Sequence, residues 1–319
     1  MTVVLITNAA TARARRHYPA LRDALPESAT LQHRVTESPD EMDGLVGHAG
    51  WRPEDLLVIN GGDGSVQHAL SLLLAHCPVE RLPRIACLPG GSTNMTAYDV
   101  NRHRRFHHCV ASLQRAAAQF DEGACAARPV VRVEAGERPM RCGLFFGLGT
   151  IVQGIDYFKT HVRHRGGAQE MGAGVALARA LWGIARNQPP FSEALQVQLH
   201  APGLLPGDAT DGAVTVRLLF ATSLERLFLG MRPYWGSGSG ALKATLVERR
   251  AEHLLRRMPR LLRGRPDRHM IPAAGYHSAR LDGLAMTFSG AYTLDGELFP
   301  TSDARIVVSA TDPVRFVPL

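Results

Sequence analysis

The stretch Asp55-Leu-Leu-Val-Ile-Asn-Gly-Gly-Asp-Gly-Ser-Val-Gln-His-Ala-Leu70 decides the fold, because its periodicity changes at its centre. Leu56 to Ile59 is a continuous apolar run of strand length, the pattern of a strand covered on both faces. Asn60-Gly61-Gly62 stops it, and Val66, Ala69, Leu70 and Leu73 then recur at helical spacing. Glycines between a strand and a helix permit positive φ and let the backbone approach a ligand closely. The unpaired N–H groups of the helix's first turn would then face that ligand, which suits a phosphate.

The same unit recurs on either side. Val3 to Thr7 reads as a first strand, followed from Thr11 by a helix with Ala14, Tyr18, Leu21 and Leu25 on its apolar face. Ile85 to Leu88 reads as a third, stopped by Pro89-Gly90-Gly91, after which Ser92, Thr93 and Asn94 offer hydroxyl and amide groups at a helix start. Strands alternating with one-faced helices predict a parallel sheet covered by helices. In an open α/β sheet the ligand crevice lies beyond the carboxyl ends of the strands, so both glycine turns are expected at one cleft.

From about Gly123 to Pro129 onward the pattern shifts to short extended pieces, Val130–Val133, Leu144–Phe146, Leu195–Leu199 and Val214–Phe220, the signature of an antiparallel β lobe. Two helical segments interrupt it. One covers about Gly174–Arg186. The other covers about Val247–Leu262, where Val247, Ala251, Leu254, Leu255, Met258, Leu261 and Leu262 form a stripe closed by Gly264 and Pro266. The expected organisation is an α/β nucleotide-binding lobe over residues 1–127, completed by 302–319, and a mainly antiparallel β lobe over 128–301, with the active site in the cleft between them.

Composition is consistent with that plan. Apolar residues make up 45% and charged residues 20% of 319, which excludes a disordered or collagen-like chain. No apolar run reaches the roughly 18 residues of a membrane helix, and MTVVLITNAA carries no signal-peptide features, so a cytoplasmic location is expected. Five scattered cysteines without a CxxC pair argue against a disulfide framework or a zinc site. A net charge of +7 predicts an anionic partner without choosing among nucleic acid, membrane and phosphorylated ligand.

Gly61-Gly62-Asp63-Gly64-Ser65 followed by Leu88-Pro89-Gly90-Gly91-Ser92-Thr93-Asn94 resembles, in order and spacing, the GGDGT and LPxGTxND signatures of the diacylglycerol kinase catalytic-domain family, which includes sphingosine and ceramide kinases. LITNAATARARR looks like that family's first strand and turn, which places Asn8 at the nucleotide. Thr36, in RVTES, falls where the family has a threonine lining the ATP site. FFGLGTIVQGID is similar to the start of its second lobe, and Leu294-Asp295-Gly296-Glu297 to its Asp-Gly-Glu motif. The resemblance implies transfer of the ATP γ-phosphoryl group to a lipid hydroxyl, with Glu297 as general base and Asp63 organising Mg²⁺ indirectly through nucleotide or water. On the residues alone, Asp295-Gly296 is a hairpin turn followed by a solvated glutamate.

Three departures stand out. Met95 replaces the acid that usually follows Asn94, Asn8-Ala9-Ala10 replaces Asn-Pro, and Trp235-Gly236-Ser237-Gly238-Ser239-Gly240 lies where relatives carry an acidic element that can hold a structural Mg²⁺. An arginine-rich segment over 247–268 and the run Lys159, His161, Arg163, His164, Arg165 are candidates for peripheral contact with anionic lipid when the enzyme is active. No nucleic-acid motif accompanies the positive charge. His103, His107 and His108 lack a Cys or carboxylate at ligand spacing. A homodimer is compatible with the sequence. The rival readings are a nicotinamide-dinucleotide kinase, which shares the GGDG turn, and a non-catalytic lipid- or nucleotide-binding relative.

Overall fold

In the computed structural model the apolar run Val3–Asn8 is strand β1, followed by α1 (Ala12–Ala24), β2 (Leu31–Thr36), α2 (Pro39–Val46), β3 (Leu56–Gly61), α3 (Asp63–His76), β4 (Arg84–Pro89), α4 (Met95–Val100), α5 (Phe106–Ala118) and β5 (Ala126–Arg128). Residues 1–47, 50–119, 124–161, 194–205 and 211–319 are described. The chain divides into two units, Met1–Val130 with Asp312–Leu319, and Val131–Thr311.

The sheet of the first unit has the order β2-β1-β3-β4-β15-β5, where β15 is Val314–Phe316 from the C-terminal segment. Strands β1 to β4 are mutually parallel, β15 joins β4 in parallel, and β5 closes the edge antiparallel. β3 and β4 are buried at every position, which explains their unbroken apolar runs. β2 and α2 have no counterpart in the expected element list: Gln32 and Arg34 interrupt the apolar pattern because β2 is an edge strand with part of its length in water, and His33 is buried with Nε2 on the Leu25 carbonyl at 2.7 Å. Helices α1 and α5 cover one face, where Leu21, Cys109 and Leu113 pack with Leu5, Leu56, Val58 and Leu88. Of the segment 302–319 expected to complete this lobe, only Asp312–Leu319 does so, because β14 (Glu297–Ala310) keeps the preceding residues in the second sheet.

The second unit contains β6 (Val131–Ala135), β7 (Arg141–Gly143), β8 (Phe145–Gly149), α6 (Thr150–His161), β9 (Leu195–His200), β10 (Asp211–Thr222), β11 (Leu242–Glu248), α7 (Leu254–Leu262), β12 (Tyr276–Leu281) and β13 (Gly283–Leu294) besides β14. Its strands run in the order β12-β11-β10-β8-β13-β14-β6-β7, with β9 paired to both β10 and β13, and every pairing is antiparallel. The core is one cluster in which Phe146, Leu219, Leu246, Tyr292 and Ile306 from five strands meet. The α/β lobe and the antiparallel β lobe read from the sequence are both present.

The helix expected over Val247–Leu262 starts only at Leu254. Val247 pairs with Leu218 in the sheet and is fully buried there, so the apolar stripe joined two elements that a turn at Arg249–His253 separates. Trp235–Gly240 runs extended beside β12, where a Cβ on Gly236 would lie 2.0 Å from the Ser278 carbonyl oxygen. Trp235 and Gly236 N–H groups both donate to Ser278 Oγ, at 3.1 Å. The helical segment read over Gly174–Arg186 and the basic residues Arg163, His164 and Arg165 lie outside the described residues. Among the described residues no helix is long and apolar enough to cross a membrane.

His17 stacks on Phe106 with ring centroids 3.7 Å apart. Burial first, then the nearby Arg13 and Arg16 charges, hold its imidazole down at about 4. An unfolded chain takes up this proton near pH 6.5 and the folded one does not until about pH 4, so stability rises with pH across that window. His17→Phe should flatten this part of the stability–pH curve in urea titrations. In the same assay Leu5→Ala, at a fully buried position of β1, should cost about 2–5 kcal/mol.

Candidate active site

The parallel register brings the carboxyl ends of β2, β1, β3 and β4 into one row: Asn8 is paired with Thr36, Thr7 with Asn60, and Gly61 with Pro89. The chain runs from β1 outward to β2 and then crosses to β3 on the other side, so the strand order reverses between β1 and β3. That reversal is where open α/β sheets place ligands. Asn8, at the end of β1, donates from Nδ2 to Ser65 Oγ in the first turn of α3, at 2.9 Å. Asn8 and Ser65 therefore meet at the switch point. Thr36 stands beside Asn8, but its side chain is buried and its carbonyl oxygen accepts from the Ala9 N–H at 2.8 Å.

The two glycine turns touch. A Cβ on Gly91 would lie 2.4 Å from the Gly62 Cα, and one on Gly90 would lie 2.9 Å from the Gly61 nitrogen. The Gly90 N–H donates to the Gly61 carbonyl oxygen at 3.1 Å. None of Gly61, Gly62, Gly64, Gly90 or Gly91 has positive φ. Left-handed backbone is therefore absent from these glycines; at Gly90 and Gly91 a Cβ would meet backbone, and at Gly61 it would lie 2.6 Å from Ser65 Oγ. Asn94, the one residue of the second turn with positive φ (48°), accepts the Gly91 N–H on Oδ1 at 2.6 Å and returns an Nδ2 donation to the Gly91 carbonyl at 2.9 Å.

Asp63 locks the pair together. It is buried in the first turn of α3, and its carboxylate accepts three hydrogen bonds from the second turn: Thr93 Oγ1 at 2.6 Å, Met95 N–H at 3.0 Å and Thr96 N–H at 2.8 Å. The last two are the orphan donors of α4's first turn, so Asp63 caps a helix 30 residues away. Thr93, whose hydroxyl the sequence places at a helix start, donates it to Asp63. The N-terminus of α4 is thus occupied from within. In α3, the Ser65 and Val66 N–H groups bond the Gly62 carbonyl, which leaves the Asp63 and Gly64 N–H groups as the turn's donors for an anion, beside half-buried Ser92.

Arg13, from the first turn of α1, donates from Nη1 to the Gly91 carbonyl at 3.2 Å and so carries a guanidinium to the joined turns. Its signal was the basic run Arg13-Ala14-Arg15-Arg16 directly after the β1 turn. The residues present do not form a metal cage: Asp63 is the one carboxylate in the turns, both its oxygens bond protein donors, and Met95 adds no ligand. Among the described residues no group of three or more His, Cys, Asp or Glu is placed to hold a metal ion.

Glu297 belongs to the second unit. Asp295-Gly296 is the hairpin turn between β13 and β14, with φ of 49° and 89°. The Asp295 carboxylate is buried and accepts the N–H groups of Leu144 and Phe145 at 2.9 and 2.8 Å, which ties the turn to the start of β8. Glu297 opens β14 with about half of its side chain in water and an ion pair to Lys159 of α6 at 2.9 Å. The hairpin and the solvated glutamate read from the residues alone are both there, and Asp295 supplies a rigid base for that glutamate.

These features define an α/β unit with two touching glycine turns at its strand ends, joined in one chain to an antiparallel β unit. Residues 2–125 match the family model of the diacylglycerol kinase catalytic domain. No curated protein matches the chain. A solved structure of a "putative diacylglycerol kinase" from Bacillus anthracis is similar over 100% of this chain and 97% of that one, with 15% identity and a TM-score of 0.63. A second, of a diacylglycerol kinase from the same organism, gives 13% identity and a TM-score of 0.60 over the same shares. At such identities the two structures establish the fold.

Asp63→Ala should lower the unfolding free energy of the first unit by about 3 kcal/mol or more, since three hydrogen bonds to a charged acceptor are lost. Asp63→Asn, which keeps one acceptor oxygen, should lose less. Chemical denaturation followed by circular dichroism ranks the two, and an Asp63→Ala protein as stable as wild type would show that the three bonds do not hold the turns.

Proposed function

We propose that the protein is an ATP-dependent lipid kinase that transfers the γ-phosphoryl group to the hydroxyl of diacylglycerol or a related acylglycerol or sphingoid lipid. The observation that carries this reading is the pair of touching glycine turns locked by Asp63, within the residues that match the diacylglycerol kinase catalytic domain. Phosphoryl transfer asks a protein mainly for positioning and charge neutralisation, and the turns supply close-approach backbone with Arg13 beside it. In this reading ATP lies along Asn8, Gly61, Gly62, Gly64, Ser65, Gly91, Ser92, Thr93 and Asn94, with Thr36 behind Asn8. Asp63 acts as a positioning residue.

The acceptor hydroxyl oxygen forms a bond to the γ-phosphorus, the bond from that phosphorus to the bridging oxygen breaks, and ADP leaves. Glu297 takes the hydroxyl proton. Its exposure gives a substrate access to the carboxylate, and Lys159 holds that carboxylate in place until the substrate arrives. Mg²⁺ on the nucleotide would neutralise phosphate charge, held mainly by phosphate oxygens and waters because the protein offers so few ligands here. The enzyme would meet its lipid at a membrane surface.

Purified protein incubated with labelled ATP, Mg²⁺ and micelles of diacylglycerol, monoacylglycerol, sphingosine or ceramide should label one of these lipids. Glu297→Gln, at an exposed site and so without a folding defect, should lower turnover by about 10²–10⁴-fold. Label in no lipid would end the reading, and label in NAD instead would assign the protein to the dinucleotide kinases. Full turnover by Glu297→Gln would remove Glu297 as the base.

A further inference from the structure

Among the described residues five large hydrophobic side chains are exposed, and three of them, Leu229, Leu255 and Ile271, are 67%, 49% and 45% exposed within residues 227–271. The same stretch holds the densest charge in the chain: between Arg249 and Arg268 there are eight arginines against two acids, Glu252 and Asp267. α7 sorts its residues by face. Leu254, Met258 and Leu261 are buried, while Leu255, Arg256, Pro259, Arg260 and Arg263 form an exposed stripe at helical spacing. Arg257 is the exception, buried with Nη1 on the Glu252 carbonyl at 2.6 Å and the guanidinium 5.6 Å from the Tyr276 ring centre.

Hydrogen bonds tie the three apolar tips to this helix. The Arg232 N–H donates to the Leu262 carbonyl at 3.0 Å, which fixes the Leu227–Met231 turn at the helix C-terminus. Leu229 stands in that turn with φ of 55°, an unfavourable conformation for leucine, held with its side chain in water. Tyr276 donates its N–H to the Ile271 carbonyl at 3.2 Å and its hydroxyl to the Glu252 carbonyl at 2.7 Å, so Ile271 is fastened near the helix start. A leucine kept strained and solvent-exposed beside an arginine stripe has no use inside the folded unit.

We propose that the outer face of α7, with Leu229, Leu255 and Ile271, docks on the surface of a bilayer containing anionic phospholipid. Arginines at the headgroups and aliphatic tips in the acyl boundary match the two layers of such a surface. A second copy of the chain would set one arginine stripe against another. A nucleic acid would find no exposed Phe, Tyr or Trp among the described residues of this segment to stack on its bases. The inference rests on the lipid-acceptor reading only for its purpose, and its test contains neither nucleotide nor diacylglycerol, so either can fail alone.

The full chain is sedimented with vesicles of phosphatidylcholine, with or without phosphatidylglycerol, at low and high salt. Binding should require phosphatidylglycerol and weaken with salt. The triple variant Arg256→Glu, Arg260→Glu, Arg263→Glu should lose about a hundredfold in partitioning, at roughly fivefold per arginine. Leu229→Ser with Leu255→Ser should weaken binding while leaving its salt dependence. Equal binding to neutral vesicles, unchanged partitioning of the triple variant, tighter binding to a DNA duplex, or a dimer that the triple variant abolishes would each overturn the proposal. The lipid and salt dependence of the wild type decides even if a variant fails to fold.

Discussion

One carboxylate organises the edge of the first unit's sheet where the two glycine turns meet. Asp63 sits in the first turn of α3 and accepts the free N–H groups at the start of α4, so two helix N-termini share a single negative charge. Each helix end carries roughly half a positive charge, and one aspartate therefore cancels about what the two dipoles supply. A polyphosphate at these turns needs compensation from elsewhere. Arg13, hydrogen-bonded to Gly91, is a protein cation placed for that role, and a metal on the nucleotide would be the other. The same arrangement dictates the glycine at position 91, which leaves no room for a Cβ against Gly62 once Asp63 has drawn the turns together.

The second unit repeats the logic with a different outcome. Asp295 is buried and accepts two backbone N–H groups, whereas Glu297, two residues on, is half in water and paired with Lys159. In both units a buried aspartate bonds backbone N–H groups and holds a turn in place. The Asp-Gly-Glu triplet is thus a structural turn and a candidate catalytic feature at once.

Much of this was legible in the sequence, for reasons that can be named. Strands buried on both faces, such as β3 and β4, announce themselves as unbroken apolar runs, and the glycine turns that end them mark the ligand edge. The edge strand β2 was not legible, because Gln32 and Arg34 meet water. The start of α7 was misplaced because Val247 is apolar for the sake of the sheet, not the helix. The role of Asp63 needed the structure: its partners lie 30 or more residues away, and no local spacing links an acid in one turn to the amides of another. Thr36 pairs with Asn8 across β1 and β2, with a buried side chain that only the burial pattern reveals.

The central claim is that the two joined turns form one phosphate site. Hydrogen–deuterium exchange of the full chain with and without Mg-ATP tests it directly. The account predicts slower exchange in peptides covering Gly61–Ser65 and Gly91–Thr96 together, with ADP giving a weaker effect. Protection confined to one turn, or found only elsewhere in the chain, would contradict it.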